Sequence, residues 1–294
     1  MQPLVFVTVL NWNRPGETAE CIESVMKSYY KNWRIVVVDN GSTDGSTHLL
    51  RERFPETEVL EAGTNLGFAG GMNLGITFAL ENGADFVLIL NNDAIVDPDM
   101  IEDLIKASAV EPGFCILGPT VFFYQDREKV WFKGGRRNWY WPAIDGLDCE
   151  SPHSSSGPEV IPVDVVSGCG MLVKRAVFEE VGLLDTKFFM YYEDTDFCLR
   201  ARQKGHNVGY VPAAKMWHKV SLSSEDNATG RIYVRAKSKA IFYKRYAKGI
   251  AAATTWPFLI LSLFSTVWQD YRNGRTNASK YYLKGLIDGL FSSR

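Results

Sequence analysis

No two of the five cysteines (Cys21, Cys115, Cys149, Cys169, Cys198) are spaced as CxxC, and their number is odd. Neither a disulfide framework nor a structural zinc site is expected, and a reducing compartment fits best. The chain contains no GxGxxG and no GxxxxGK[ST], so the dinucleotide and P-loop readings lose their main support. Long low-complexity tracts are absent, as expected of a folded protein. The formal net charge is only −2, which argues against a nucleic-acid partner. No basic region or small-residue cleavage site precedes the first apolar run. A signal peptide is therefore not expected, and the catalytic part should stay in the cytosol.

What is present is enough for one large core with an appendage: 294 residues, of which 46% are hydrophobic and 22% charged. Leu4 to Leu10 is a short apolar run rich in β-branched residues, and Pro15 suits the first turn of a helix reaching about Ser28. The pattern recurs. Arg34 to Val38 reads as a buried strand before a helix over Ser46 to Phe54, and Glu58 to Glu61 as a shorter strand before a helix that stops near Asn82-Gly83. Phe86 to Leu90 is a fourth strand, and Asp97-Pro98 opens a fourth helix. Strands alternating with helices predict an α/β fold, a Rossmann-like, mostly parallel sheet covered by helices. Ligands of such a sheet sit beyond the carboxyl ends of its strands.

Asp39 and Asp93 follow the second and fourth strands. A carboxylate there can accept hydrogen bonds from a ribose or base, or hold a divalent cation; both are also good turn formers. The glycines of Asn65-Leu66-Gly67-Phe68-Ala69-Gly70-Gly71-Met72-Asn73 either line a ligand or ease helix–sheet packing. Further on, Glu193-Asp194-Thr195-Asp196 sets three carboxylates within four positions, between Tyr191-Tyr192 and Phe197. Desolvation and mutual repulsion raise the pKa of at least one carboxylate in such a group, the usual preparation for a general base. The structural alternative is an acidic helix start, capped by Asp194 or Thr195, with Arg200 as the i,i+4 partner of Asp196.

Asn11-Trp12-Asn13, Val38-Asp39-Asn40-Gly41-Ser42, the glycine segment 65–73, Leu90-Asn91-Asn92-Asp93 and Glu193-Asp194 occur in one order over roughly three quarters of the chain. That succession resembles the family 2 inverting glycosyltransferases, especially rhamnosyltransferase-like members. The resemblance implies a GT-A-type nucleotide-sugar fold. It makes Asp39 a contact of the donor's base, and Gly70, Gly71 and Asn73 the lining of the nucleotide pocket, with Asn11, Asn40 and Asn92 in the same donor-binding set. Asp93 becomes the metal-binding aspartate, for Mg²⁺ or Mn²⁺, and His218 falls where similar enzymes place a histidine near the metal and pyrophosphate. Asp194 becomes the general base, with Glu193 and Asp196 as supporting or acceptor-contacting groups. One departure is plain: the usual Asp-x-Asp stands here as Asn91-Asn92-Asp93, with one carboxylate where many relatives have two.

Ile116 to Phe123, Val130 to Phe132, Val163 to Lys174 and Asn207 to Val211 read as further strands, the third interrupted by Ser167-Gly168-Cys169-Gly170. Cys169 has no adjacent His and reads as a small buried residue, not a nucleophile. Gly134 to Trp141, with Arg136, Arg137 and three aromatics, suits an acceptor-facing loop, and a polar loop follows through Ser151 to Pro158. The division expected is a catalytic domain over 1–229 and a helical extension over 230–294. Arg231 to Lys248 holds seven Lys or Arg and no acidic residue; Ile250 to Trp268 holds no charge at all. With Pro257 inside it, that second run suits a surface-lying or re-entrant hairpin better than a span, with Tyr281 to Phe291 as a second apolar-faced helix. Segment 231–291 is thus expected to contact the membrane surface, the alternative being that its helices pack on the catalytic domain or form a homo-oligomer interface.

An acceptor hydroxyl needs a carboxylate to take its proton as it attacks the sugar, and the departing nucleoside diphosphate needs a cation to offset its charge. The function expected is a metal-dependent inverting transferase, with a nucleotide-diphosphate sugar as donor and a glycan or lipid-linked acceptor. By resemblance the favoured donor is dTDP-rhamnose. The alternatives are a UDP-hexose or UDP-galactofuranose transferase and a non-catalytic sugar-nucleotide or glycan-binding module; hydrolysis, which has no use for a nucleotide pocket, reads less well.

Overall fold

Alternation within the apolar strands decides which face of the sheet each residue serves. In the computed structural model Val5, Val7 and Val9 join one core with Ile22, Val25 and Leu104, while Phe6 joins a second with Met72 and Ile76. The structure describes residues 2–138, 144–147, 157–219, 228–247, 249–272 and 278–292. Its first half runs β1 (Val5–Asn11), α1 (Pro15–Met26), β2 (Trp33–Asp39), α2 (Ser46–Arg53), β3 (Glu58–Glu61), α3 (Gly67–Glu81), β4 (Phe86–Asn91), β5 (Ala94–Val96) and α4 (Met100–Val110). Then come β6 (Phe114–Phe123), β7 (Val130–Phe132), β8 (Gly135–Arg137), β9 (Ile144–Gly146), β10 (Ile161–Val163), β11 (Gly170–Lys174) and α5 (Arg175–Val181). The last elements are α6 (Glu193–Gln203), β12 (Asn207–His218), α7 (Ala228–Tyr246), α8 (Ile250–Arg272) and α9 (Ala278–Phe291).

The main sheet has the order β10-β12-β6-β11-β4-β1-β2-β3, with β5 beside β12 and β7 beside β6. Strands β3, β2, β1 and β4 are parallel, as expected from the alternating first half. β11 enters antiparallel between β4 and β6, so the sheet is mixed. That insertion matters for the site: the start of an antiparallel β11 lies beside the end of β4. A Cβ on Gly71 would overlap the Leu10 side chain and one on Gly75 that of Thr8, so α3 sits closer to β1 than any larger residue allows. Helix–sheet packing is thus one role of the glycine segment.

The C-terminal helices are not loosely appended. Ala236, Ala240, Phe242, Tyr243 and Tyr246 of α7 and Leu286 of α9 join the core that holds Phe178 and Phe197. α9 crosses α7 where a Cβ on Gly285 or Gly289 would meet the backbone oxygens of Tyr233 and Lys237. Segment 250–268 does not fold back on itself; it belongs to the single helix α8, which passes through Pro257. α8 and α9 form the returning pair, joined by Ser262 Oγ and Tyr282 Oη at 2.9 Å. Among the described residues no helix is long and apolar enough to cross a membrane. Residues 220–227, just before the expected division at 229, lie outside the described residues, as do 139–141 of the expected acceptor-facing loop and 151–156 of the polar loop.

Candidate active site

The parallel register of β1 and β2 sets Asn11 opposite Asp39. Asn11 Nδ2 donates to Asp39 Oδ1 at 2.8 Å and to Ser42 Oγ at 3.1 Å, and Ser42 returns its backbone N–H and hydroxyl to the Asp39 carboxylate at 3.0 and 2.6 Å. Thr18 Oγ1 donates to Asn11 Oδ1 at 2.7 Å and accepts from Asn92 Nδ2 at 3.1 Å. Asn11, Asp39 and Asn92 are therefore joined into one network. Thr18, in the first turn of α1, carried no sequence signal; Ser42 was visible as part of Asp39-Asn40-Gly41-Ser42.

Asn40 donates to Asn65 Oδ1 at 3.2 Å and to Gly67 O at 3.1 Å, and accepts the Leu66 N–H at 2.9 Å, pinning the loop before α3 to the end of β2. Gly71 packs under Leu10 and Asn40, and Gly70 against the Leu66 side chain. Asn73 spends both ends of its amide on Leu184, donating to its carbonyl at 2.8 Å and accepting its N–H at 3.1 Å. These residues tie α3 to its neighbours. Gly67 has φ +73°, and a Cβ there would overlap Phe189 O, which accepts the Phe68 N–H at 2.6 Å. A glycine is needed for both reasons, and the contact fastens the approach to Glu193 onto the glycine segment.

The pairing of β5 with β12 sets His218 opposite Ala94 and so beside Asp93. His218 Nε2 stands 2.9 Å from Asp93 Oδ1 and 3.2 Å from Asn91 Nδ2, and the Trp131 ring meets the imidazole edge-on at 4.9 Å between centroids. The Asp93–His218 approach lacks hydrogen-bond alignment: Asp93 Oδ1, like His218 Nδ1, is buried without a hydrogen-bond partner. An unpartnered buried carboxylate oxygen is costly, and a cation removes the cost. One carboxylate and one imidazole suit Mg²⁺ or Mn²⁺ when the remaining positions fall to substrate phosphates and water. Among the described residues no group of three His, Cys, Asp or Glu converges, so what they would contribute to such a site is this pair.

α6 begins at Glu193, behind Tyr191 (φ 70°) and Tyr192 (φ 71°), and neither Asp194 nor Thr195 is its N-cap. Asp194 Oδ2 accepts the Gly168 N–H at 2.9 Å, and Oδ1 accepts the N–H and hydroxyl of Thr195 at 2.6 and 3.2 Å. Cys169 lies near both carboxylates. Burial above all pushes its thiol up to about 12, with the charges of Asp93 and Asp194 adding to the rise against a hydrogen bond from Ser167, so it is no nucleophile. Its carbonyl accepts the Asn91 N–H at 3.1 Å, so the Gly168-Cys169 turn links Asp194 to the strand end that leads to Asp93. Glu193 is buried with Oε2 unpartnered; burial and then the Asp194 charge push its carboxyl well above the usual range. Asp196 is fully buried and paired with Arg200 (2.7 Å), Arg245 (2.5 Å) and Tyr246 Oη (2.8 Å), a supporting position. Arg137 donates to Tyr246 O at 2.6 Å, while Arg136 is exposed.

The mixed, helix-covered sheet has a GT-A-like fold, and the chain is a glycosyltransferase. The chain belongs to glycosyltransferase family 2: the family described as "Glycosyl transferase family 2" matches residues 6–182. It is 28% identical over 226 residues to the N-acetylglucosaminyl-diphospho-decaprenol L-rhamnosyltransferase of Mycobacterium tuberculosis, covering 71% of this chain and 73% of that protein. It is 26% identical over 231 residues to the dTDP-rhamnosyl transferase RfbF of Shigella flexneri, covering 76% and 72%. Among solved structures, the mannosyltransferase PcManGT from Pyrobaculum calidifontis, in complex with GDP-Man and Mn²⁺, shares the fold with a TM-score of 0.58. That likeness covers 100% of this chain and 89% of the other at 15% identity.

Proposed function

We propose that the protein is a metal-dependent inverting glycosyltransferase that moves rhamnose from dTDP-rhamnose onto a glycan or lipid-linked acceptor in surface-polysaccharide synthesis. The observation that carries this reading is that the Gly168-Cys169 turn holds Asp194 through the Gly168 N–H and Asn91 through the Cys169 carbonyl, which links the carboxylate suited to a proton to the strand end bearing the Asp93–His218 pair suited to a cation. Asp194, exposed in part, takes the proton of the acceptor hydroxyl as its oxygen bonds to C1 of the sugar; the C1–phosphate bond breaks with its electron pair going to the diphosphate. Attack opposite the leaving group inverts the anomeric carbon. A divalent cation, Mg²⁺ or Mn²⁺, held by Asp93 and His218 would offset the charge gathering on the diphosphate. The Asn11–Asp39–Ser42 network is the preformed cradle for the nucleoside, with Asn92 tied to it through Thr18. The names of the two rhamnosyltransferase relatives support the donor, and that of the mycobacterial one a lipid diphosphate acceptor.

Residues 1–229 are the catalytic unit on this reading, with 230–294 docked against it. α8 turns Trp256, Ile260, Leu261, Phe264 and Trp268 outward, and the exposed cations Arg272, Lys280 and Lys284 lie on the same helix pair. An apolar face with cations beside it matches an anionic bilayer surface, which would bring a lipid-linked acceptor to the site from the inner face of the cell membrane. The test is turnover of dTDP-rhamnose against UDP-galactose, UDP-glucose and UDP-galactofuranose over an acceptor array, with products read by mass spectrometry. Rhamnosyl products from dTDP-rhamnose are expected. Turnover of UDP donors only would replace the donor assignment, and binding without turnover of any donor would leave a sugar-nucleotide-binding module.

A further inference from the structure

Asp196 stands two residues beyond Asp194 in the first turn of α6, and its carboxylate is the node of a buried network. Arg200 Nε donates to Oδ2 at 2.7 Å; Arg245 Nη1 and Tyr246 Oη donate to Oδ1 at 2.5 and 2.8 Å. Both arginines reach further. Arg245 Nη2 donates to Asp185 Oδ2 at 2.5 Å, and Arg200 donates to the carbonyls of Val181 and Leu183 at 3.0 and 2.9 Å. Two cations and two carboxylates thus balance in charge and tie α6 to the start of the segment that leads into Glu193. Arg245 reaches two carboxylates from different parts of the chain through separate nitrogens of one planar fork, a geometry that the single nitrogen of a lysine reproduces only in part.

α7 also holds the far end of that segment. Ser238 Oγ donates to Met190 O at 2.8 Å, the Arg235 guanidinium lies 5.9 Å from the Tyr191 ring centroid, and the Tyr192 ring packs on Phe242 and Tyr243 at 5.0 and 6.3 Å. Between these attachments Tyr191 and Tyr192 are both left-handed, with φ of 70° and 71°. Bulky side chains adopt that backbone only where their surroundings enforce it, and such enforced strain gathers at functional sites. The strained pair immediately precedes Glu193 and Asp194.

We propose that α7 is a clamp that fixes the position of the Asp194 carboxylate, with Arg245 as its central positioning residue. The C-terminal extension then belongs to the catalytic apparatus, acting through Asp196 and segment 185–192. The proposal rests on the reading of Asp194 as the general base.

The test compares full-length Arg245→Met, Arg245→Lys and Tyr246→Phe in steady-state kinetics, with donor affinity measured by calorimetry. A misplacement of about 1 Å can cost on the order of 100-fold in rate, so kcat of Arg245→Met is expected to fall roughly 30- to 100-fold. Donor Kd and acceptor KM should stay within about 3-fold. Arg245→Lys, which satisfies one carboxylate, should recover part of the loss, and Tyr246→Phe should lose roughly 3- to 10-fold in kcat alone. A folded Arg245→Met with kcat near wild type, or kcat and donor affinity falling together, overturns the clamp. If Arg245→Met does not fold, Tyr246→Phe decides by the same criteria. Near-normal turnover of Asp194→Asn would remove the base reading itself, whereas an inactive Asp194→Asn beside a fully active Arg245→Met would remove only the clamp.

Discussion

Asp93 Oδ1 lies 2.9 Å from His218 Nε2 because β12 pairs with β5, the short strand that Asp93 precedes, and not because the two are near in sequence. The Lys219 N–H donates to Asp93 O at 3.0 Å, so the backbone fixes the approach from the far side of the turn. If the pair holds one cation, Asp93→Ala and His218→Ala should each weaken cation-dependent nucleoside-diphosphate binding by at least roughly 10-fold, a scale seen even for loss of an outer-shell partner. The double variant should lose little more, because residues at one centre are not additive. Calorimetry of the wild type with and without Mn²⁺ or Mg²⁺ checks this; equal affinities would remove both residues from a metal site.

Asp194→Asn should lower transfer by about two to four orders of magnitude, the range for a general base, with donor affinity unchanged. The amide replaces one of the two oxygens that accept from Gly168 and Thr195, so stability should drop by about 1 kcal/mol. In a chain of 294 residues that is about 1–2 °C in Tm. Near-normal kcat at saturating acceptor would redirect the search to Glu193.

The parts of the site legible in the sequence were those set by local motifs. Asp39 and Asp93 stand at strand ends where the alternating pattern puts them, Asp194 stands in the helix start that its acidic cluster suggested, and the parallel order of β1 to β4 follows from the same alternation. Long-range register was not legible. Nothing local says that β11 runs antiparallel beside β4, which brings Gly168 to Asp194, or that Asn73 spends its amide on Leu184. Arg245 read as one of seven cations in a basic stretch; only the packing of α7 turns it toward Asp185 and Asp196. The single carboxylate of Asn91-Asn92-Asp93 has a counterpart in the fold, since Asn92 is engaged with Thr18 and Asn91 with His218.

Glu193 carries a pH signature whose sign follows from its burial. Its carboxyl, pushed up from an ordinary value of 4.5 by burial and the Asp194 charge, favours the neutral form in the folded protein. The stability this contributes is fully present below about pH 4.5 and is lost as pH rises toward the raised folded value. Glu193→Gln, neutral at every pH, should therefore gain in Tm over wild type as pH increases from 4.5 to 8, and show no gain at acid pH. Parallel Tm-against-pH curves for the two proteins would mean that Glu193 is ionised in the fold.

The outward face of α8 decides whether the extension meets lipid or protein. Leu261 and Phe264 are 59% and 64% exposed, so Leu261→Glu/Phe264→Glu should leave folding intact while placing two negative charges where a bilayer interface would lie. Wild type is expected to float with vesicles containing anionic phospholipid and to detach as salt rises, because each lysine or arginine near such a surface contributes about 1 kcal/mol and that attraction fades within a Debye length. The double variant should remain largely in the soluble fraction, with transfer to a water-soluble acceptor unaltered. Equal flotation of the two proteins would reject lipid contact through this face. A wild-type dimer that the double variant dissolves, measured by sedimentation in the absence of vesicles, would assign the face instead to a second copy of the chain, and the expectation of a lipid-linked acceptor would then rest on the relatives alone.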